Sequence, residues 1–252
     1  MKGIRRLRRR QGDHALLEGP HLLREALTAG LAFETVLAAP GFLRSAVGAE
    51  LAARLPRPPL EVAEELLAEL CDAEAPRGLL ALASLPRHGV ESVELRETAI
   101  LLFLDGVQDP GNLGALARVA EAFGAAALLL APGSCHPNHP RALRASAGSL
   151  LRLPVAVEAT PESFEGRCRD AGLRPRWIGL DAHGGGPLPP TRPSGVLVLA
   201  LGAERGGLSA AAQARLDERW TIRLQPPVES LNVAVAAGVT LFSLTRSDAR
   251  WP

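Results

Sequence analysis

The sequence predicts an α/β protein: a C-terminal, mostly parallel sheet with helices on both faces, preceded by a smaller N-terminal α/β unit. Three observations predict it. From Ala99 onward, apolar runs without polar alternation recur between helix-like stretches, the pattern of strands buried on both faces and joined by crossover helices. Ahead of them, residues from about 14 to 85 alternate shorter apolar stretches with helical patterns. Between the two, Pro86, Gly89 and a mixed-charge, weakly periodic stretch reaching Thr98 read as a linker. The expected division is therefore residues 1–90, a linker at 91–97, and a second domain at 98–252.

In the first unit, Gly19 to Gly30 places Leu22, Leu23, Ala26 and Leu27 on one helical face, and Leu60 to Leu70 repeats the style. In the second, strands are expected at Ala99–Leu104, Ala126–Ala131, Trp177–Leu180, Val196–Leu201 and Thr221–Leu224. A helix of small residues is expected from Val233 to Leu244, and its alanines permit close packing without any further role. Ligands of such sheets sit at the loops following the carboxyl ends of strands, so chemistry is sought there.

With 252 residues and 47% hydrophobic content, the chain can bury two cores. No apolar run approaches the ~20 residues of a membrane span, and the basic start lacks the apolar stretch of a secretory signal, so a soluble cytoplasmic protein is expected. Cys71, Cys135 and Cys168 are scattered and odd in number, which suggests neither a disulfide framework nor a zinc site. Cys135, His136 and His139 lie close together, but two prolines and no fourth ligand favour a polar loop over a metal centre, and no metal is expected. Net charge is only +1, yet Lys2, Arg5, Arg6, Arg8, Arg9 and Arg10 fall within ten residues. That density suits a phosphate backbone and suits a solvated terminal arm equally well.

Three loops carry polar residues at strand ends. The first, after Ala99–Leu104, runs Asp105 to Arg118; Asn112 is placed to cap the following helix, and Arg118 to reach a phosphate or an activated hydroxyl. Taken alone, these two read more simply as a cap and a solvated helix residue. The second, Gly202 to Ser209, is glycine-rich and ends on a helix cap, but it forms neither a dinucleotide fingerprint nor a phosphate loop. Nicotinamide and ATP sites are disfavoured accordingly. The third runs from Ile222 through Glu229 to Ser230-Leu231-Asn232 and the last helix.

Together the three segments resemble the three motifs of the SpoU/TrmH family of the SPOUT methyltransferase superfamily. Asn112-Leu113-Gly114-Ala115 with Arg118 resembles motif one, Leu201-Gly202, Glu204 and Gly207-Leu208-Ser209 motif two, and Ser230-Leu231-Asn232-Val233 motif three. Arg144 to Ser149 with Leu153-Pro154-Val155 resembles the family's middle helix and the strand after it, so the resemblance covers about 98 to 246. Glu18-Gly19-Pro20 with Glu25-Ala26-Leu27 resembles the ribosomal-protein-like substrate-binding domain that many members carry.

The resemblance implies a trefoil knot, S-adenosylmethionine as cofactor held largely by main chain at Gly202, Ile222 and Leu231, and methyl transfer to a ribose 2′-hydroxyl of RNA. It implies Arg118 as activator of that oxygen, with Asn112, Glu204, Ser230 and Asn232 positioning Arg118, the phosphate and the ribose. A homodimer with its site beside the interface follows from the same resemblance, as does ribosomal RNA, 23S in particular, as substrate. Where the family has Ile-Pro followed by glycine, this chain has Ile222-Arg223 and Pro226, and Glu229 adds a carboxylate before Ser230. A tRNA methyltransferase and a catalytically silent RNA-binding protein of the same fold are the alternatives.

Overall fold

The computed structural model describes residues 12–71, 77–203 and 206–245. The basic run at Lys2 to Arg10 and the motif-two residue Glu204 lie outside the described residues.

The N-terminal unit is a four-stranded sheet. Strands β1 (His14–Glu18), β2 (Phe33–Ala38), β3 (Leu60–Glu61) and β4 (Leu79–Ser84) take the order β1-β4-β2-β3, with β3 alone parallel to its neighbour. The helix expected near Gly19–Gly30 is α1 (Pro20–Thr28), started by proline at its first turn and burying Leu22, Leu23 and Ala26. Two short helices, α2 (Pro40–Leu43) and α3 (Ala46–Arg54), follow β2. The Leu60–Leu70 stretch is not one helix: Leu60–Glu61 pairs with β2, and only α4 (Glu64–Leu70) is helical. Alternation along the strands splits the sheet's faces, with Leu16, Leu37, Leu80 and Leu82 meeting Leu67 and Leu70 of α4.

The second sheet has seven strands, all parallel: β5 (Ala99–Asp105), β6 (Ala127–Leu130), β7 (Val155–Ala156), β8 (Pro175–Leu180), β9 (Gly186–Pro187), β10 (Val196–Gly202) and β11 (Glu218–Thr221). Their order is β7-β6-β5-β10-β8-β11-β9. Every residue of β5 from Ala99 to Leu104 is buried, which is why the run shows no alternation. One face meets α5 (Pro110–Ala122), α6 (Pro140–Ala145), α7 (Ser149–Arg152) and α10 (Val233–Thr245). The other meets α8 (Pro161–Asp170) and α9 (Ala210–Gln213), where Trp177 lies edge-on to Phe103 and Phe164 at ring-centroid distances of 5.3 and 6.2 Å.

One further expectation changes at this level. The last strand is Glu218–Thr221 rather than Thr221–Leu224, because the chain leaves the sheet before Ile222 and stays irregular until Val233. Just ahead of the expected linker at 91–97, Arg87 ties the first unit to the second. Arg87 donates from Nε to Asn138 Oδ1 at 2.9 Å and from Nη2 to the Leu150 carbonyl at 2.7 Å. Burial pulls the Arg87 guanidinium down to about 10. Asn138 in turn donates to the carbonyls of Gly12 and Leu85, both at 2.9 Å. Leu17, Val36 and Ala81 of the first sheet belong to the same buried cluster as Leu113, Leu143 and Leu150 of the second unit, so the two sheets share one core.

Candidate active site

Strands β5 and β10 are neighbours, and their carboxyl ends, Asp105 and Gly202, lie opposite each other in register. From β5 the chain moves outward to β6, from β10 the other way to β11, so this pair marks the point where the strand order reverses.

The loop after β5 starts α5 differently from expectation. Asp109, not Asn112, is the cap: its Oδ1 accepts the Asn112 N–H at 2.8 Å, and Pro110 fills the first helical position. An Asp-Pro pair outcompetes an asparagine two residues further on, because proline's fixed φ suits the first turn and its missing N–H costs nothing there. Asn112, released from capping, accepts at Oδ1 a hydrogen bond of 2.8 Å from Asn232 Nδ2. Asn232 is oriented by its own helix, since its Oδ1 accepts the N–H groups of Ala234 and Val235 at the start of α10, at 3.0 and 3.4 Å. The cap thus aims the amide nitrogen at Asn112, joining motif one to motif three across 120 residues.

Beyond β10 the chain doubles back, with Ala203 and Gly207 exchanging both main-chain hydrogen bonds at 3.1 Å. A Cβ on Gly202 would lie 2.2 Å from the Gly207 carbonyl carbon, so only glycine fits. Ser209 caps α9, and its own N–H donates to Asp105 Oδ2 at 2.7 Å, tying the second loop to the first.

These loops surround a cavity of about 750 Å³, within the roughly 300–1,000 Å³ usual for small-molecule sites. Gly202, Ile222 and Leu231 line it, and so do Ser230 and Asn232. Asn112 reaches it through Asn232. Arg118 is exposed on α5 and is not among the lining residues; among the described residues it has no ion-pair or hydrogen-bond partner. Asp181, Gln213 and Arg219 also line the cavity and were not singled out from sequence. Asp181 follows the apolar run of β8 directly, so the strand-end rule that located the other loops points to it as well.

The Cys135–His139 loop is structural. His139 Nδ1 accepts the Arg141 N–H at 3.1 Å as the cap of α6, and burial pushes the Cys135 thiol up to about 11. Among the described residues, no three His, Cys, Asp or Glu side chains converge as a metal site.

The sequence matches the model of the SpoU rRNA methylase family over residues 99–242. The chain belongs to the SpoU rRNA methylase family. Residues 2–81 match the MRM3-like substrate-binding domain. Among curated relatives, the chain is 28% identical to the 23S rRNA (guanosine(2553)-2′-O)-methyltransferase RlmP of Bacillus subtilis, covering 91% of this chain and 87% of that protein. An uncharacterized tRNA/rRNA methyltransferase of Mycobacterium bovis is 38% identical, over 60% of this chain and 47% of its own length. Among solved structures, the SpoU methyltransferase AviRb from Streptomyces viridochromogenes, in complex with AdoMet, superposes with a TM-score of 0.87 at 27% identity, covering 95% of this chain and 92% of that one. Family membership accounts for the order of the three loops, and the cavity that they surround is the candidate site.

Proposed function

We propose that this SpoU-family chain transfers the methyl group of S-adenosylmethionine to a ribose 2′-hydroxyl of 23S ribosomal RNA. The observation that carries the reading is the Asn112–Asn232 hydrogen bond at the edge of a cavity walled by the second and third motifs. The substrate class is supported by the likeness to RlmP and by the match of residues 2–81 to a substrate-binding domain. The cofactor fits the cavity in size, and the crowding at Gly202 brings main chain to its wall, as a bound nucleoside requires. When bound, S-adenosylmethionine supplies an electrophilic sulfonium methyl.

The protein's task is then alignment and the management of one proton. Gly202, Ile222 and Leu231 hold the cofactor, while the Asn112–Asn232 pair and Ser230 fix the ribose side. Arg118 offers five donors to the RNA phosphate and the 2′-oxygen, stabilising negative charge on that oxygen while its proton leaves to solvent. Glu204 is assigned to orienting Arg118. Residues 1–90 serve as the RNA-selecting unit and residues 98–252 as the transferase unit, with the basic run at Lys2 to Arg10 as a phosphate contact. A trefoil knot is part of the proposal through the family likeness, and the segment after β11 returns to the cavity, where Ile222, Leu224 and Leu231 stand with Leu180, Gly202 and Leu208. No helix among the described residues is long and apolar enough to cross a membrane, and a cytoplasmic location is part of the proposal because it is where the proposed RNA substrate is met.

The test is transfer of labelled methyl from S-adenosylmethionine to unmethylated total RNA. Label is expected in 23S ribosomal RNA as a 2′-O-methyl nucleotide. Label in tRNA instead overturns the substrate assignment, and cofactor binding without transfer favours a silent RNA-binding protein.

A homodimer is part of the proposal. Val235, Val239 and Phe242 are 50%, 40% and 53% exposed and recur at i, i+4 and i+7 on α10, and Phe242 lies edge-on to Phe123 at 6.2 Å. Such a stripe suits a second copy of the same face. Val239→Glu is expected to convert a dimer to a monomer in light scattering at micromolar concentration; an unchanged mass removes this face from the interface.

A further inference from the structure

One wall of the cavity is built from charged and amide side chains. Asp181 follows β8, Gln213 ends α9 and Arg219 lies in β11. They form one bonded series. Gln213 Nε2 donates to the Leu208 carbonyl at 2.8 Å, Arg219 Nη2 donates to Gln213 Oε1 at 3.5 Å, and Arg219 Nη1 donates to Asp181 Oδ2 at 3.2 Å. The other carboxylate oxygen, Oδ1, accepts the His183 N–H at 3.0 Å. The series joins the second-motif loop to the end of β8, so the carboxylate cannot swing away without breaking several bonds.

The His183 amide, and with it the Arg219 guanidinium, hold the Asp181 carboxyl below the usual carboxylate range, against the opposing effect of partial burial. Asp181 therefore stands in the cavity wall as an anion that only accepts hydrogen bonds. A third of its side chain remains open. The adjacent guanidinium largely cancels the net charge of the carboxylate, so the pair neither attracts an ammonium nor repels a carboxylate strongly, while the carboxylate oxygens keep their capacity to accept hydrogen bonds. What complements a carboxylate held beside a cation is a neutral pair of adjacent hydroxyl donors. S-adenosylmethionine carries one such pair, the 2′- and 3′-hydroxyls of its ribose.

We propose that Asp181 accepts hydrogen bonds from the ribose diol of the bound cofactor, with Arg219 and Gln213 as positioning residues that hold the carboxylate in place. The site thereby adds one side-chain contact to its main-chain cradle, in a wall that none of the three motifs supplies. This inference rests on the reading of the cavity as the S-adenosylmethionine site.

Calorimetric titration of the full chain with S-adenosylhomocysteine, 5′-methylthioadenosine and the 2′,3′-dideoxy analogue of the latter tests it. Asp181→Asn is expected to weaken the first two ligands alike, by about 10- to 100-fold, the range of a hydrogen bond to a charged group. The dideoxy analogue is expected to bind wild type and Asp181→Asn equally. Arg219→Gln keeps the carboxylate, so it should lose less affinity and still prefer the diol ligands. A loss confined to S-adenosylhomocysteine overturns the proposal in favour of a contact at the amino-acid end. Unchanged affinities for every ligand leave Asp181 as a rim ion pair only. Wild-type protein that binds none of the three overturns the cofactor reading itself, and the ribose contact with it.

Discussion

Arg118→Ala is expected to lower the turnover number for RNA methylation by about 10² to 10³-fold, the usual effect of deleting one donor aimed at developing charge. Its affinity for S-adenosylhomocysteine should stay within a few-fold of wild type. The separation follows from placement: Arg118 is exposed on α5 and absent from the cavity wall, so its removal leaves the cofactor's surroundings intact. Among the described residues no carboxylate neutralises it, which leaves its charge available to RNA. Arg118→Lys should fail nearly as badly, because an ammonium on a flexible stem does not present a planar fork of donors to a phosphate and an oxygen together. Asn232→Ala is the informative comparison. It removes both the bond to Asn112 and the cap of α10, so it should lower turnover and cofactor affinity together. Single-turnover rates at saturating RNA, with binding measured separately, distinguish the two. Full activity of the lysine variant would falsify the guanidinium role and leave a simple positive charge.

Much of the site was legible because its parts sit where strands end. Ala99–Asp105 and Val196–Gly202 are buried on both faces, so their apolar runs are continuous and the loops after them stand out. The last strand was misplaced for the opposite reason. Within Glu218–Thr221 only Trp220 is buried, so the strand carries charge, while apolar Ile222 and Leu224 belong to the cavity wall. Leu60 misleads in a similar way: the apolar pattern assigns it to a helical face, and it is 61% exposed in a two-residue strand. Asp181 and Arg219 belong to no recognisable motif, and only the pairing of β8 with β11 brings them together. The shared core is illegible as well, since Leu17, Val36 and Ala81 lie far in sequence from Leu113, Leu143 and Leu150, and an apolar run does not say which distant run it packs against.

That junction carries the second large expected effect. Glu18, at the end of β1, pairs with Arg144 of α6, and its side chain is only 4% exposed against 29% for the arginine. Nearby, Arg152 pairs with Glu25 of α1 and with Glu121 of α5 at 2.7 Å, so the N-terminal unit is clamped to the transferase unit at two places. The asymmetry in burial sets the order of the mutational costs. Arg144→Ala takes one partner from a carboxylate that is almost wholly buried, and the expected destabilisation is on the order of 3 kcal/mol, the range for removing a hydrogen-bond partner from a buried charge. Glu18→Ala leaves a guanidinium that can turn to solvent, and should cost less. In a chain of this length, 3 kcal/mol corresponds to a fall in melting temperature of roughly 6–12 °C. The effect should not stop at the seam, because α6 lies flush against α5. A Cβ on Gly114 would come within 2.5 Å of the Ala142 carbonyl oxygen, and the turn of α5 before Gly114 carries Asn112. Loosening α6 therefore loosens the mounting of the Asn112–Asn232 pair as well as that of the N-terminal unit. The Arg144→Ala protein should melt earlier than Glu18→Ala and be cut faster by protease between residues 85 and 98. An equal or smaller loss in Arg144→Ala than in Glu18→Ala would show that the carboxylate's remaining interactions support it without Arg144, and that the seam is held by the shared core and the Arg152 contacts instead.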